Sequence, residues 1–352
     1  MATTITAFVN KESVGGDGTT NNTSGATAAY ASLSACLTAR AKNLVTADEI
    51  LLVKCTGSAA DTTAVAATVW ASFVMDATRY VQIEPNTGQG HGGAWNTGVY
   101  RLETTDASAL QLPTTAGVMY HIRLRGLQVR TIATTGSTNR RAVNAAGPGI
   151  SVNSIVDVQG CILRVSKSGG TGTSHAGITI EDSNWNTFYL ANTLILLDGT
   201  SVGNGVSRNM QGNTYVHNCG VVADGECYAS NTVNGTFQIK NSWGKGGTTF
   251  AVNHDTSSDY NSTDLGTATG GANDRVSQTF TFVDAGNGDY RPASNDAAIR
   301  GHGVDLSADG DLAITTDMEG NSLNSPPDIG PLNAEVVLEE SENRWRIRRA
   351  AA

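Results

Sequence analysis

Glu181, Asp182, Arg208, Asp255 and Asp259 are the residues of this chain whose types suit the cleavage of polysaccharides. Paired carboxylates can bind Ca²⁺ and acidify a sugar proton, or serve as acid and base on a glycosidic bond. Glu181-Asp182 follows the strand-like Ile178 to Ile180, Arg208 follows Val206 one repeat on, and His254-Asp255 with Asp259 follows the last strand of the same series. All five could share one wall, yet Asn209 and Ala229 stand at the intervening strand ends where a third acid is wanted. Solvated turn charges are the ordinary alternative, and the expectation is that none of the five is catalytic.

Other reactive types are dispersed. The six histidines, His91, His121, His175, His217, His254 and His302, contain no pair three or four residues apart, so no metal site is read and they are expected to be ordinary surface or turn residues. Cys36, Cys55, Cys161, Cys219 and Cys227 are odd in number and lack metal-type spacing, which suits buried small hydrophobes in a reducing compartment or a virion. Gly88 to Gly93 is followed by neither Lys-Ser/Thr nor a helix pattern, so it reads as a flexible turn and not a phosphate loop. No cofactor is implied.

Charge switches sign within residues 333–352: Glu335, Glu339, Glu340 and Glu342 precede Arg344, Arg346, Arg348 and Arg349. Arg344-Trp345-Arg346-Ile347-Arg348 alternates, with Trp345 and Ile347 on one face and arginines on the other. Unpaired backbone beside an apolar row wants a partner sheet, so this stretch is expected to be an assembly arm docking on a neighbouring subunit, with Trp345 as anchor. Folding back as a cap on its own last coil is the alternative.

The elements that must carry these residues share one grammar, in which strand pattern is interrupted by a single Gly or Asn and then resumes. The pivots are Gly126, Gly160, Asn192, Asn218, Asn241 and, more weakly, Asn261, spaced by 34, 32, 26, 23 and 20 residues. Gly and Asn reach the left-handed backbone region most cheaply, so each pivot turns a corner, and repeats in this range signal a solenoid. A second ladder runs through Ile150, Ile178, Val206, Tyr228 and Phe250. Three short strands per repeat are the wall pattern of a right-handed parallel β-helix, with Ile122, Leu124, Val156 and Val158 inward and Arg123 and Asp157 outward. With 352 residues, 39% hydrophobic, 6% aromatic, 40 Gly and 7 Pro, the chain suits a long thin core with many tight turns. A formal charge of −9 gives no basic field for nucleic acid, and neither a spanning apolar run nor a secretion leader is present, so the expectation is a soluble protein.

An open solenoid needs caps at its ends. Ala26 to Asn43 reads as the N-terminal capping helix, preceded by a strand from Ile5 to Val9 and followed by the core strand Asp48 to Gly57. Together with Phe282-Val283-Asp284, Gly288-Asp289-Tyr290-Arg291, Ala298-Ile299, Asp317, Gly320-Asn321 and Asp328-Ile329-Gly330, these segments resemble the opening and closing segments of pectate-lyase-like right-handed β-helix proteins. The resemblance covers roughly residues 5–332 and implies a fold more than an activity. In family members that cleave polysaccharides, clustered Asp residues with Arg or His line one wall. The closing segment departs from the family in having Arg300 where an acid is usual. The Ala/Thr/Gly-rich style is also similar to β-helical proteins of tailed-phage virions. The divisions expected are 1–57 for the opening strand, helix and core strand, 58–332 for the β-helix, and 333–352 for the arm. The role implied is a non-catalytic virion structural protein, decorating or reinforcing a capsid and homo-oligomeric, with virion proteins or its own copies as partners. A tail-spike-type lyase or hydrolase and a carbohydrate-binding adhesin are the alternatives.

Overall fold

The computed structural model describes residues 2–113, 119–135, 139–146, 154–169, 174–182, 187–199 and 203–334. The fold is all-β, and the described chain is dominated by three parallel sheets. The first has eight strands, Thr3–Asn10, Glu49–Thr56, Val81–Pro85, His121–Arg125, Ile155–Gln159, Thr187–Ala191, Asn213–His217 and Phe237–Lys240, in that spatial order. The second, also eight-stranded, runs from Ala60–Asp61 to Ser262–Thr263, and the third, six-stranded, from Leu110–Gln111 to Thr249–Ala251. From His121 to Ala251 the chain visits the first, second and third sheets in rotation, an order compatible with the expected solenoid.

Register follows the inward side chains. Val156 lies between Ile122 and Phe188, and Val158 between Leu124 and Leu190. All six are fully buried in one continuous core, while Arg123 and Asp157 alternate outward.

Gly126, Gly160, Asn192, Asn218 and Asn241 join the first sheet to the second, with φ of 58°, 64°, 48°, 52° and 49°. The left-handed turn keeps the ladder intact: the N–H groups of Gly126, Gly160, Asn192 and Asn218 donate to Gln159, Ala191, His217 and Lys240 in the next repeat at 2.9 to 3.1 Å. The sixth pivot differs from expectation. Tyr260, not Asn261, holds the positive φ of 57°, because Asn261 is buried one step further on, where its Oδ1 accepts from the Ser242 N–H at 3.1 Å. That post-pivot position repeats the device: Thr193 Oγ1 accepts from the Cys161 N–H and Ser242 Oγ from the Cys219 N–H, at 3.4 and 3.1 Å.

Two other expectations shift. Ile178 pairs with Val143 and Tyr228 with Ala251, so Phe250 is one residue out of the anticipated ladder; Ile150 lies outside the described residues. The expected helix Ala26 to Asn43 is only Leu33–Arg40, because Tyr30 exchanges backbone hydrogen bonds with the first strand and Ser32 adopts extended backbone. Ser32 Oγ caps the Ala35 N–H at 3.1 Å, and Asp61 accepts from the Leu33 N–H at 2.7 Å. Leu33, Cys36 and Leu37 still join the core.

Residues 298–334 form a strap along the pivot column, in which 304–316 runs from Asn241 back to Asn192 against the order of the repeats and Gly330 returns to Asn241, donating its N–H to the Asn241 carbonyl at 2.7 Å. Asn241 Nδ2 donates to the Val304 carbonyl at 2.7 Å, and its Oδ1 accepts from the Val304 N–H at 2.9 Å. Lys240 pairs with Asp309 at 2.7 Å, His217 Nδ1 faces the Leu312 carbonyl at 2.9 Å, and Asn192 Nδ2 donates to Thr316 O at 2.8 Å. Leu306, Leu312 and Ile314 pack over Ala191 and Tyr215; Met318, Ile329 and Leu332 pack over Ile162, Leu194 and Trp243. Beside Arg300, Asp296 Oδ1 accepts from the Ala298 and Ile299 N–H groups and Asp328 Oδ1 from the Gly301 N–H.

Asparagine substitutions separate these contributions. Asn241→Gly keeps the corner but loses both strap bonds and should cost about 2 kcal/mol, while Asn241→Ala should cost about 1 kcal/mol more through its left-handed backbone. Asn218 is fully buried, yet neither of its amide atoms has a hydrogen-bond partner among the described residues, so Asn218→Gly should be neutral or stabilising. Equilibrium denaturant unfolding ranks the three; equal losses for all would refute this division of labour.

Candidate functional site

The acidic residues weighed with Arg208 do not bond to its side chain. That side chain is fully buried, because it shares the inward parity of Val206 two residues before it. Its Nε donates to Thr214 Oγ1 at 3.2 Å, Nη1 to Ser230 Oγ at 3.0 Å, and Nη2 to the Gly212 and Asn234 carbonyls at 2.6 and 2.7 Å. The guanidinium also sits 5.6 Å from the centre of the Phe237 ring. Burial lowers its pKa to about 10, which leaves it charged at neutral pH.

The carboxylates are placed separately. Glu181 faces Arg141 at 3.7 Å on the third sheet, and Asp182 ends the same strand in register with Met210. Asp255 Oδ1 accepts from the Ser257 hydroxyl and N–H at 2.6 and 2.9 Å, bonds that hold its carboxyl below the usual range. Asp259 accepts from the N–H groups of Tyr260 and Asn273, both at 2.8 Å. Each of these two aspartates fastens a turn.

The histidine expectation is also corrected, since His91, His121, His175 and His217 are buried. They lie at strand ends and beside the corner, where neighbouring chain covers them. Among the described residues no three His, Cys, Asp or Glu side chains gather as metal ligands. The five cysteines are free and buried, and burial pushes the thiols of Cys36, Cys161, Cys219 and Cys227 up to about 12.

A groove that sequence reading passed over lies where the strap meets the early coils. Its volume of about 680 Å³ falls in the range of ligand sites. Glu84, Pro85 and Asn86 come from the end of one strand of the first sheet, Arg125 and Gly126 from the end of the adjacent strand, Gly88, Gly90, His91 and Gly92 from a loop, and Met318, Glu319 and Asn321 from the strap. Ion pairs brace its rim: Glu84 with Lys54, Arg125 with Asp157, and Glu319 with Arg291. His91 fixes the glycine loop expected to be a free turn. Its Nε2 donates to the Gly160 carbonyl at 2.7 Å and its Nδ1 accepts from the Gly93 N–H at 3.0 Å, the pattern of a neutral ring. Burial holds the His91 pKa below the usual value, against the opposing effect of the Gly160 bond.

On the outer face of the first sheet a smaller opening of about 200 Å³ is lined by His121, Arg123, Asp157 and Tyr189. Tyr189 stacks on Tyr215 with ring centres 5.6 Å apart. No family profile, no curated protein and no solved structure matches the chain. The groove thus joins ion-paired polar side chains to the apolar edges of Pro85 and Met318, an arrangement suited to holding a polar or charged segment.

His91 gives the groove a pH signature. Its folded-state pKa lies below the unfolded value of about 6.5, so its stabilising effect is complete above that pH and is lost as pH falls through the folded-state pKa. As pH falls below about 6.5 the melting temperature of the native protein should therefore drop more than that of His91→Gln. Parallel melting profiles for the two proteins would rule out this coupling.

Proposed function

We propose that the chain winds as a right-handed parallel β-helix capped by its N-terminal helix and serves as a non-catalytic structural component of a phage-like virion. In this reading it decorates or reinforces a capsid. The observation that carries it is the burial of Arg208 among hydroxyl and carbonyl acceptors, which turns the arginine wanted for chemistry into an internal strut. Asp255 and Asp259 serve their own turns in the same way. Rigidity suits such a role, because stacked repeats gain stability from each neighbour and the strap ties non-adjacent repeats together.

Assembly is assigned to the segment bearing Arg344, Trp345, Arg346, Ile347, Arg348 and Arg349, which lies outside the described residues. Asn333 and Ala334 belong with the strap, since Ala334 N–H donates to Asp328 Oδ2 at 2.6 Å and Asn333 Nδ2 to Ser322 O at 2.9 Å. The arm proper is therefore 335–352, and its partners are copies of the chain or other virion proteins. A second reading, a carbohydrate-binding adhesin, is favoured by the Tyr189–Tyr215 stack beside Arg123 and Asp157.

Removing residues 335–352 should abolish self-association in analytical ultracentrifugation while shifting the melting temperature by less than about 2 °C, a change near 1 kcal/mol or below. A sharp fall in melting temperature would instead mark the segment as an end cap. Glycan binding lost in Tyr189→Ala would favour the adhesin, and glycan cleavage would overturn the non-catalytic assignment.

A further inference from the structure

Resting on the assembly-arm reading, we infer that the groove between the Gly88–Gly92 loop and the strap turn at Met318–Asn321 receives the arginine face of residues 344–348 from a second copy of the chain. Three observations converge on this surface.

The first is where the described chain ends. Met318, a groove residue, donates its N–H to Pro331 O at 2.8 Å, and Leu332 packs against the loop so closely that a Cβ on Gly93 would meet its Cδ2 at 2.9 Å. Residues 331 and 332 thus lie against Met318 and the glycine loop, and the described chain ends two residues later at Ala334. Ten Cα-to-Cα steps lead from Ala334 to Arg344, a reach of up to about 33 Å. That is ample for crossing to a neighbouring molecule.

Charge is the second. The whole chain carries −9, and residues 333–352 contain four Glu and four Arg, so the entire −9 resides on residues 1–332 and the arginines are concentrated in their own short run. Glu84 and Glu319 offer carboxylates at the groove, and their present partners, Lys54 and Arg291, leave both acids partly exposed. A guanidinium can share such a carboxylate through its forked donors. Arginines at alternate strand positions repeat about every 6.8 Å, so one extended segment can address several points along the rim.

Symmetry is the third. Because the described chain ends close to groove residues, a two-fold axis would set each arm on the other copy's groove and close the contact without propagating a filament.

Charge reversal in the full-length protein tests the pairing. Arg344→Glu with Arg346→Glu should weaken self-association at least tenfold in analytical ultracentrifugation, as should Glu84→Arg with Glu319→Arg. Mixing these two proteins should restore a complex, since each reversed arm now meets a reversed groove. Single-site Glu319→Gln, on the exposed turn, should weaken association severalfold at unchanged melting temperature, which guards against misfolding of the reversed groove. If the arm variants fail to associate while the groove variants associate normally, the arm reading stands and this groove is the wrong receptor. If the arm variants associate like the native chain, the arm reading itself fails and this inference with it. Absence of rescue on mixing would overturn the pairing of arm with groove.

Discussion

Parallel strands cannot be joined by tight hairpins, so every change of sheet in this molecule must carry the chain sideways without leaving amide groups unpaired in a dry interior. The left-handed corner at Gly126, Gly160, Asn192, Asn218 and Asn241 meets that constraint. It bends the backbone in one residue, and four of these five N–H groups reach a carbonyl of the following repeat within 3.1 Å. Register on both sides of the corner is thereby locked, which keeps Val156 under Ile122 and Leu194 beside Ile162. Were a corner to slip by one residue, the inward row would turn outward and the core would be lost with it.

One position past the corner, the interior becomes polar in an ordered way. Thr193, Ser242 and Asn261 each present an oxygen to an N–H of the preceding repeat, which satisfies the donors of Cys161, Cys219 and Ser242 at the bend. The cysteines at 161 and 219 occupy the same column as small buried groups. Such a column helps to explain how a chain with few aromatic residues sustains a long interior: small side chains fit the narrow angle between two sheets, while branched aliphatic residues fill the flat walls.

What could be read from the amino-acid sequence was the part governed by local periodicity. Corner residues, alternation along the strands and the rotation among three sheets all follow from neighbours in the chain. The strap could not be read this way, because its partners lie 63 to 124 residues distant, as for Val304 with Asn241 and Thr316 with Asn192, and no short pattern encodes such pairing. Arg208 was misplaced for a different reason. Its parity with Val206 pointed inward, but a charged type suggested solvent, and the acceptors that make its burial tolerable come from Gly212, Thr214, Ser230 and Asn234. The groove was invisible because it is composed of a loop, two coils and the strap, none of which announces a site alone. The early end of the helix was partly visible in Ser32, a good N-cap, although the backbone exchange between Tyr30 and the first strand was not.

The strap's direction has a consequence for biogenesis. Synthesis proceeds from the N-terminus, so the ribosome delivers all the coils before it delivers residues 298–334. Until then Ala191, Tyr215, His217 and Asn241 face solvent uncovered, and the parallel strands are fastened only to their neighbours in each sheet. Arrival of Val304 to Met318 is the moment at which the stack becomes one mechanical unit. A polypeptide released early would keep its parallel sheets but expose a sticky seam along them, which makes quality control at the end of translation a natural checkpoint for this architecture.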